Sequence, residues 1–440
     1  MEYLLILIFV LGYLTITLEH TIKIDKLIPA LIMMALMWAV ISLMQLQVYN
    51  FDNVLKQLIP AHLDEVLLHH FGKTTEILIF LIGAMTIVEI IDHFDGFSTI
   101  KGFIKTKSKR KLIWVIVTLG FFLSAVIDNL TATIILISIL RKIIIDKELR
   151  IWYASLIVIA ANAGGAWTPI GDVTTTMLWI ANKVTTINLM KYLFLPSVVS
   201  IIIPALIASF LPIFKGNIDY KIVENEKPAK YSSLMLYLGL GSIVFVPIFK
   251  TITHLPPYIG MMFSLAIIAI IAEILSLRKY KLTTPEGENE LTHHSPIHKS
   301  LSKIELPSVL FFLGILMAVA ALESVGNLFY FAEWLKVVIP NIDFVIIALG
   351  FGSAVIDNVP LVAASIAMFS EEIDHSLWHF IAFSAGTGGS MLIIGSAAGV
   401  VAMGMEKINF FWYFKKISWL ALLGFLGGAV TFIMLRAMLE

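Results

Sequence analysis

The hexapeptide Ser-Ala-Val-Ile-Asp-Asn stands at Ser124–Asn129 and again at Ser353–Asn358. Both copies lie within apolar runs, so each sets a carboxylate (Asp128, Asp357) and an amide (Asn129, Asn358) where hydrocarbon makes charge costly. A glycine-interrupted stretch follows each copy. The first runs Asn162-Ala-Gly-Gly-Ala-Trp-Thr168-Pro169-Ile-Gly171-Asp172 and continues to Thr174 and Thr175. The second carries Gly386-Thr-Gly-Gly-Ser390, then Gly395-Ser396 and Gly399. The Gly-Gly pairs and the later Gly align at one constant offset, which puts Ser396 opposite Asp172. With Thr131 and Ser353 these residues make an oxygen-rich set of carboxylates, amides and hydroxyls. Hard cations take oxygen ligands, and soft thiolate and imidazole ligands are missing from the set. A carboxylate taken out of water must be neutralised, by a proton or by a metal cation. Competition of the two for one set of oxygens couples their movement in opposite directions if the site is exposed alternately to each side.

The elements that carry these residues must cross a bilayer. The 440 residues are 59% hydrophobic and 14% charged, and the mean hydropathy is +0.91. Apolar runs of spanning length recur, which makes the chain an all-α polytopic membrane protein. A β-barrel would alternate polar and apolar residues, and these runs do not. The formal net charge is zero, giving no sign of a nucleic-acid partner, and the chain has no cysteine for disulfides or thiolate metal sites. No P-loop appears, so an ion gradient, and not ATP, supplies the driving force. An intramembrane hydrolase would need a mid-span base or metal centre that the sequence does not offer. The first apolar stretch lacks a basic leader and reads as a retained span.

Spans are predicted near 3–18, 27–47, 76–95, 112–140, 151–182, 191–214, 232–250, 256–277, 305–325, 342–370, 376–405 and 412–437. Segments 112–140 and 342–370 each have the length of two half-membrane helices around a repeated hexapeptide. Lys and Arg flank the first at both ends (Lys101, Lys105, Lys107, Lys109, Arg110, Lys111; Arg141, Lys142, Lys147, Arg150). Both ends therefore face the cytoplasm, and the segment is a re-entrant hairpin with Asp128-Asn129 at its tip. The second has Asn341 and Asp343 before it and Glu371, Glu372, Asp374 and His375 after it, so it opens to the outside. Two such hairpins of opposite orientation predict inverted-topology repeats, 1–214 and 232–440, joined by a cytoplasmic linker at 215–231. In each repeat the hairpin is followed by a broken helix, at 151–182 and 376–405, because each interior glycine costs about 1 kcal/mol and Pro169 about 3. Residues 19–26 (with Lys23 and Lys26), 278–304 and the region of Lys407, Lys415 and Lys416 fall inside; 48–75 and both termini fall outside. No Lys or Arg lies mid-span, so nothing there is expected to neutralise an anionic substrate.

The tips, the run Gly164–Thr175 and Ile87-Val-Glu89-Ile-Ile-Asp92 together resemble the NhaD-type sodium/proton antiporters of the ion transporter superfamily. The resemblance covers essentially the whole chain. It implies a homodimer with a scaffold and an elevator-like mobile region, in a prokaryotic inner membrane, exporting Na⁺ and Li⁺ against H⁺. It also implies functional roles for Asp128, Asn129, Thr131, Asn162, Asp172, Thr174, Thr175, Ser353, Asp357 and Asn358, with Na⁺ at Asp128, Asn129, Asp357 and Asn358. Dicarboxylate/sodium symporters of the superfamily typically carry Ser-Asn-Thr at their tips, and here both tips carry Asp-Asn. An anion carrier, dicarboxylate-coupled or arsenite-type, is the alternative, since arsenite-type tips also read Asp-Asn-Val-Pro as at Asp357–Pro360. No cofactor beyond the transported ions is expected.

Each tip Asp can also cap the half-helix that follows it, and a cap at a hairpin tip is compatible with an ion ligand. Asp172 can cap in the same way past its glycine. Glu89 and Asp92, one helical turn apart, are candidates for a proton path, and His93 for pH sensing. His293, His294 and His298 read as part of a flexible polar loop. Segments 96–104 and 329–338 read as amphipathic stretches along the membrane surface.

Overall fold

Hydrocarbon offers no replacement for a backbone hydrogen bond, so the apolar runs of this chain fold as helices. The computed structural model describes residues 2–17, 22–52, 57–102, 104, 106–218, 231–283, 295–339, 341–355 and 357–439. Helices α1 (Glu2–Thr17), α2 (Leu27–Leu43) and α3 (Leu63–His93) come first, with a short antiparallel pair, β1 (Val48–Asp52) and β2 (Gln57–Ala61), between α2 and α3. The four-residue α4 (Ser98–Lys101) leads to the first hairpin, α5 (Lys109–Ile127) and α6 (Asn129–Ile143). The first broken helix is α7 (Lys147–Gly165) and α8 (Val173–Ile180), followed by α9 (Thr186–Phe210).

The second half contains α10 (Ser232–Thr253), α11 (Pro257–Thr283), α12 (Pro296–Leu301), α13 (Leu306–Ser324) and α14 (Asn327–Val338). The second hairpin is α15 (Ile342–Val355) and α16 (Asn358–Met368), and the second broken helix is α17 (Ser376–Gly388) and α18 (Ala397–Glu406). A short α19 (Phe410–Lys416) and α20 (Ser418–Leu439) complete the described chain. Seven of the described helices are long and apolar enough to cross a membrane.

Packing divides these helices into an inner group and a frame. In the inner group each hairpin's first arm lies against the broken helix that follows it, α5 on α7 and α15 on α17, and α9 pairs along its length with α20. In the frame, α2 packs on α13 and α3 on α11. The arms come close because Gly164 meets the backbone of Phe121 and Gly388 meets that of Gly350, where a Cβ has no room. Stacked rings, Phe380 on Phe432 and Phe383 on Phe425, fill the contact between α17 and α20. Outward faces such as Leu7, Leu11 and Leu14 on α1 stay exposed, as lipid contact requires.

The hairpins point in opposite directions, as expected. At the foot of the first, Arg141 and Arg150 reach Glu406 at the end of α18, with Nε–carboxylate distances of 2.7 and 3.2 Å. At the foot of the second, the Asp374 amide donates to the Lys183 carbonyl beyond α8 at 2.9 Å, and Thr185 N–H donates to the Asp374 carboxylate at 2.6 Å. Each broken helix thus runs from the foot of one hairpin to the foot of the other.

Three boundaries differ from the sequence expectation. Helix α3 begins at Leu63, well before the expected 76, because His69, His70 and Lys73 line a polar cavity with Glu323 and so lower the local hydropathy without ending the helix. Helix α11 continues to Thr283, into the segment expected to be loop from 278, and α12 packs on α3. The final span is interrupted at Ile417, giving α19 and α20. Most of the linker 215–231, and of the loop around His293 and His294, lies outside the described residues. The expected surface stretches contain α4 and α14.

Candidate functional site

Four helix N-termini meet where the hairpin tips face the two helix breaks. Each is capped by a side chain from the sequence-derived set. At the first tip, Asp128 accepts from the Thr131 amide (2.7 Å) and the Thr131 hydroxyl (2.9 Å). Its backbone has φ +93° and ψ 158°, a region that side-chain-bearing residues avoid at a cost of about 1–3 kcal/mol. At the second tip, Asp357 accepts from the Val359 amide at 3.2 Å. Across the first break, Asp172 accepts from the Thr174 amide at 3.1 Å; across the second, Ser396 accepts from the Gly399 amide at 3.2 Å. The positive ends of these helices are therefore taken up by three carboxylates and one hydroxyl of the chain itself.

A continuous hydrogen-bonded row joins the tips to the breaks. Asn129 Nδ2 donates to Asp172 Oδ2 (3.1 Å) and to Asn162 Oδ1 (3.0 Å). Asn358 Nδ2 donates to the same Asp172 oxygen at 3.2 Å, and Asn162 Nδ2 donates to Ser396 Oγ at 2.9 Å. Asp172, Asn162 and Ser396 are 2% exposed or less. Beside the row lies a cavity of about 90 Å³, lined among others by Asp128, Asn129, Thr131, Asp172, Asp357 and Asn358. That is the share of liquid volume taken by about three waters.

Other members of the predicted set lie close by but hold the frame of the site. The Ser353 hydroxyl donates to the Ala385 carbonyl (2.7 Å), as Ser124 does to Ala161 (2.6 Å) in the other copy. Thr168 binds the Ala125 carbonyl (2.6 Å), Thr175 that of Asp172 (2.9 Å), and Ser390 that of Thr387 (2.7 Å). Thr174 is fully buried beside Asp172. Glu89, Asp92 and His93 sit at the far end of α3 and do not line the cavity; Asp92 is exposed, 4.0 Å from Lys303. No group of three or more His, Cys, Asp or Glu among the described residues is placed to hold a metal ion by themselves.

One participant overturns a sequence expectation. Lys26, read as a loop residue marking topology, reaches the cavity and brings its Nζ to 3.3 Å from Asp357 Oδ2. The ammonium also lies 4.4 Å above the Phe311 ring. A cation does neutralise a carboxylate of the site, from the residue just before a frame helix and not from mid-span. Glu305 and Ser308, at the start of α13, line the same cavity. The only sequence signal for Lys26 was its place at the N-terminus of α2, where a helix dipole disfavours a cation.

The family model described as citrate transporter (CitMHS) matches residues 13–378. Sodium/proton antiporter 1 of Arabidopsis thaliana is 43% identical over 97% of this chain and 71% of its own length. The Na(+)/H(+) antiporter NhaD of Alkalimonas amylolytica is 31% identical over 94% of this chain and 86% of its own. Among solved structures, the Alcanivorax borkumensis YdaH transporter, described as having an unusual topology, superposes with a TM-score of 0.55 at 13% identity. The match covers 94% of this chain and 97% of that one. That likeness concerns the fold.

Proposed function

This chain belongs to the CitMHS family and to the NhaD-type sodium/proton antiporters, and from that membership and its site we propose a secondary active antiporter that exchanges Na⁺ for H⁺. The chain is a multi-pass membrane transporter and not an enzyme. Li⁺ is a second cargo, and competition at Asp128, Asp172 and Asp357 is the coupling device. The observation that supports this most strongly is the convergence of both tip asparagines on the single carboxylate of Asp172, beside a cavity of about 90 Å³.

The chemistry follows from what each group can offer. In the arrangement seen here the two amides donate to Asp172. Turning an amide by half a rotation exchanges its NH₂ for its carbonyl oxygen. The same asparagines can then supply oxygens to a cation held by the carboxylate. A proton and a metal ion neutralise the one charge equally well but not together, so each expels the other. An anionic cargo would meet three carboxylates, four helix N-termini already capped, and a lysine already paired.

Two repeats, 1–214 and 232–440, form the carrier, with 215–231 between them. The inner group of hairpins and broken helices moves against the frame in an elevator-like way, and two copies assemble as a homodimer in a prokaryotic inner membrane with the termini outside. Lys26, Glu305 and Ser308 begin helices that start at the cytoplasmic face, so their presence at the cavity fits a state nearer the cytoplasm.

The test is proton flux in proteoliposomes, followed with a pH-sensitive dye and challenged in turn with Na⁺, Li⁺, K⁺ and succinate. Alkali-cation-driven proton efflux without succinate uptake is the expected result. Sodium-driven succinate uptake without cation-dependent proton movement would establish the anion carrier instead.

A further inference from the structure

We propose that Lys26 is the resident counter-cation of Asp357, displaced when a metal cation binds, and that the pair ties the second hairpin to the frame. This inference rests on the sodium/proton reading above. Asp357 belongs to the inner group; Lys26 opens α2, and the ring beneath its ammonium, Phe311, belongs to α13, both frame helices. The 3.3 Å contact therefore joins the second hairpin to the frame.

The position of Lys26 makes little local sense without that partner. A cation at a helix N-terminus is opposed by the helix dipole. The Lys26 side chain contributes no cap to α2; Asp25 Oδ1 instead receives the Leu27 amide at 2.9 Å. Its ammonium is placed against Oδ2 of the tip carboxylate whose own hairpin occupies one oxygen, through the Val359 amide, whereas Asp128 has both oxygens taken by Thr131. A sodium ion seeking Asp357 must first move the ammonium aside. Occupancy of the site and release of the hairpin then become one event, and apparent sodium affinity is lowered by the competing lysine. Glu305, also at the cavity, offers the displaced ammonium an alternative carboxylate on the frame.

The chain has no cysteine, which permits a clean chemical test in the reconstituted full-length protein. Lys26→Gln and Lys26→Cys should each lower the KM for Na⁺ by about three- to fivefold, the scale of a partly exposed ion pair. The maximal rate should not rise in proportion. Lys26→Arg, and Lys26→Cys treated with 2-aminoethyl methanethiosulfonate, restore a cation and should return KM toward that of the parent. In the unmutated protein, Na⁺ should increase the reactivity of Lys26 toward an amine-acylating reagent, read by mass spectrometry, while N-methylglucamine at equal ionic strength should not. A parent protein that exchanges Na⁺ for H⁺, but whose KM ignores the charge at residue 26 and whose Lys26 reactivity ignores Na⁺, overturns this inference alone. A parent that shows no such exchange overturns the function on which it rests.

Discussion

Asn129 and Asn358, from tips that enter the protein from opposite sides, place their amide nitrogens 3.1 and 3.2 Å from one oxygen of Asp172. Neither asparagine bonds the aspartate beside it on its own hairpin among the contacts seen; both reach across to the first helix break. The carboxylate on which they meet is accordingly the group whose loss both hairpins should register.

Asp172→Asn removes the charge and keeps the shape. With two amides left to face a third, exchange should fall at least about 100-fold, the equivalent of roughly 3 kcal/mol of charge-assisted hydrogen bonding. The measurement is initial proton flux in proteoliposomes, with gel filtration confirming a folded protein. Normal exchange would remove Asp172 from the site.

The tip asparagines should differ in degree. Asn358→Ala loses one bond to Asp172, whereas Asn129→Ala loses that bond and the one to Asn162. At about 1 kcal/mol per bond, the KM for Na⁺ should rise about fivefold for Asn358→Ala and further for Asn129→Ala. An inverted order would contradict the shared-acceptor geometry.

Asp128→Gly separates folding from transport. Glycine relieves a backbone at φ +93°, gaining about 1–3 kcal/mol, while loss of the cap costs about 0.5–2 kcal/mol. The two nearly cancel, so the melting temperature should stay within a few degrees while exchange is lost. A large drop in melting temperature with exchange retained would show that Asp128 is a cap and nothing more.

Competition fixes the sign of the pH response. As pH falls the carboxylates take up protons, fewer sites remain for sodium, and the KM for Na⁺ must rise, approaching about tenfold per pH unit where the protonated form dominates. Saturating Na⁺ should restore the rate. A KM independent of pH would exclude a shared site.

Glu406 should matter for stability and not for ions. It is 1% exposed and is held by Arg141 and Arg150, which are 44% and 18% exposed. Glu406→Ala leaves two partly hydrated guanidinium groups without their partner. Solvent screening reduces the 3–5 kcal/mol typical of a broken buried pair to about 2–3 kcal/mol, seen as a lower melting temperature with the KM for Na⁺ unchanged.

The tips and breaks were legible because their signals are local. A duplicated hexapeptide around Asp128 and Asp357, and aligned glycines before Asp172 and Ser396, mark positions where a spanning helix cannot continue, whatever surrounds them. The start of α3 was hidden because His69, His70 and Lys73 line a polar cavity, and a hydropathy window cannot distinguish that from a loop. Lys26 was hidden for a related reason. A lysine beside a span ordinarily reports which side of the membrane it occupies, and only the approach of the second tip to the start of α2 turns that marker into a contact. The grip of Arg141 and Arg150 on Glu406 joins residues remote in sequence, and no local pattern encodes it.

Ser396 occupies the place that a faithful duplicate of Asp172 would fill. Two acids packed side by side there would repel, and one of them would keep a permanent proton to relieve the strain. With a hydroxyl in that position, Asp172 faces no second acid across the other helix break. The two half-sites therefore present different chemistry, an acid in one break and a neutral hydroxyl in the other.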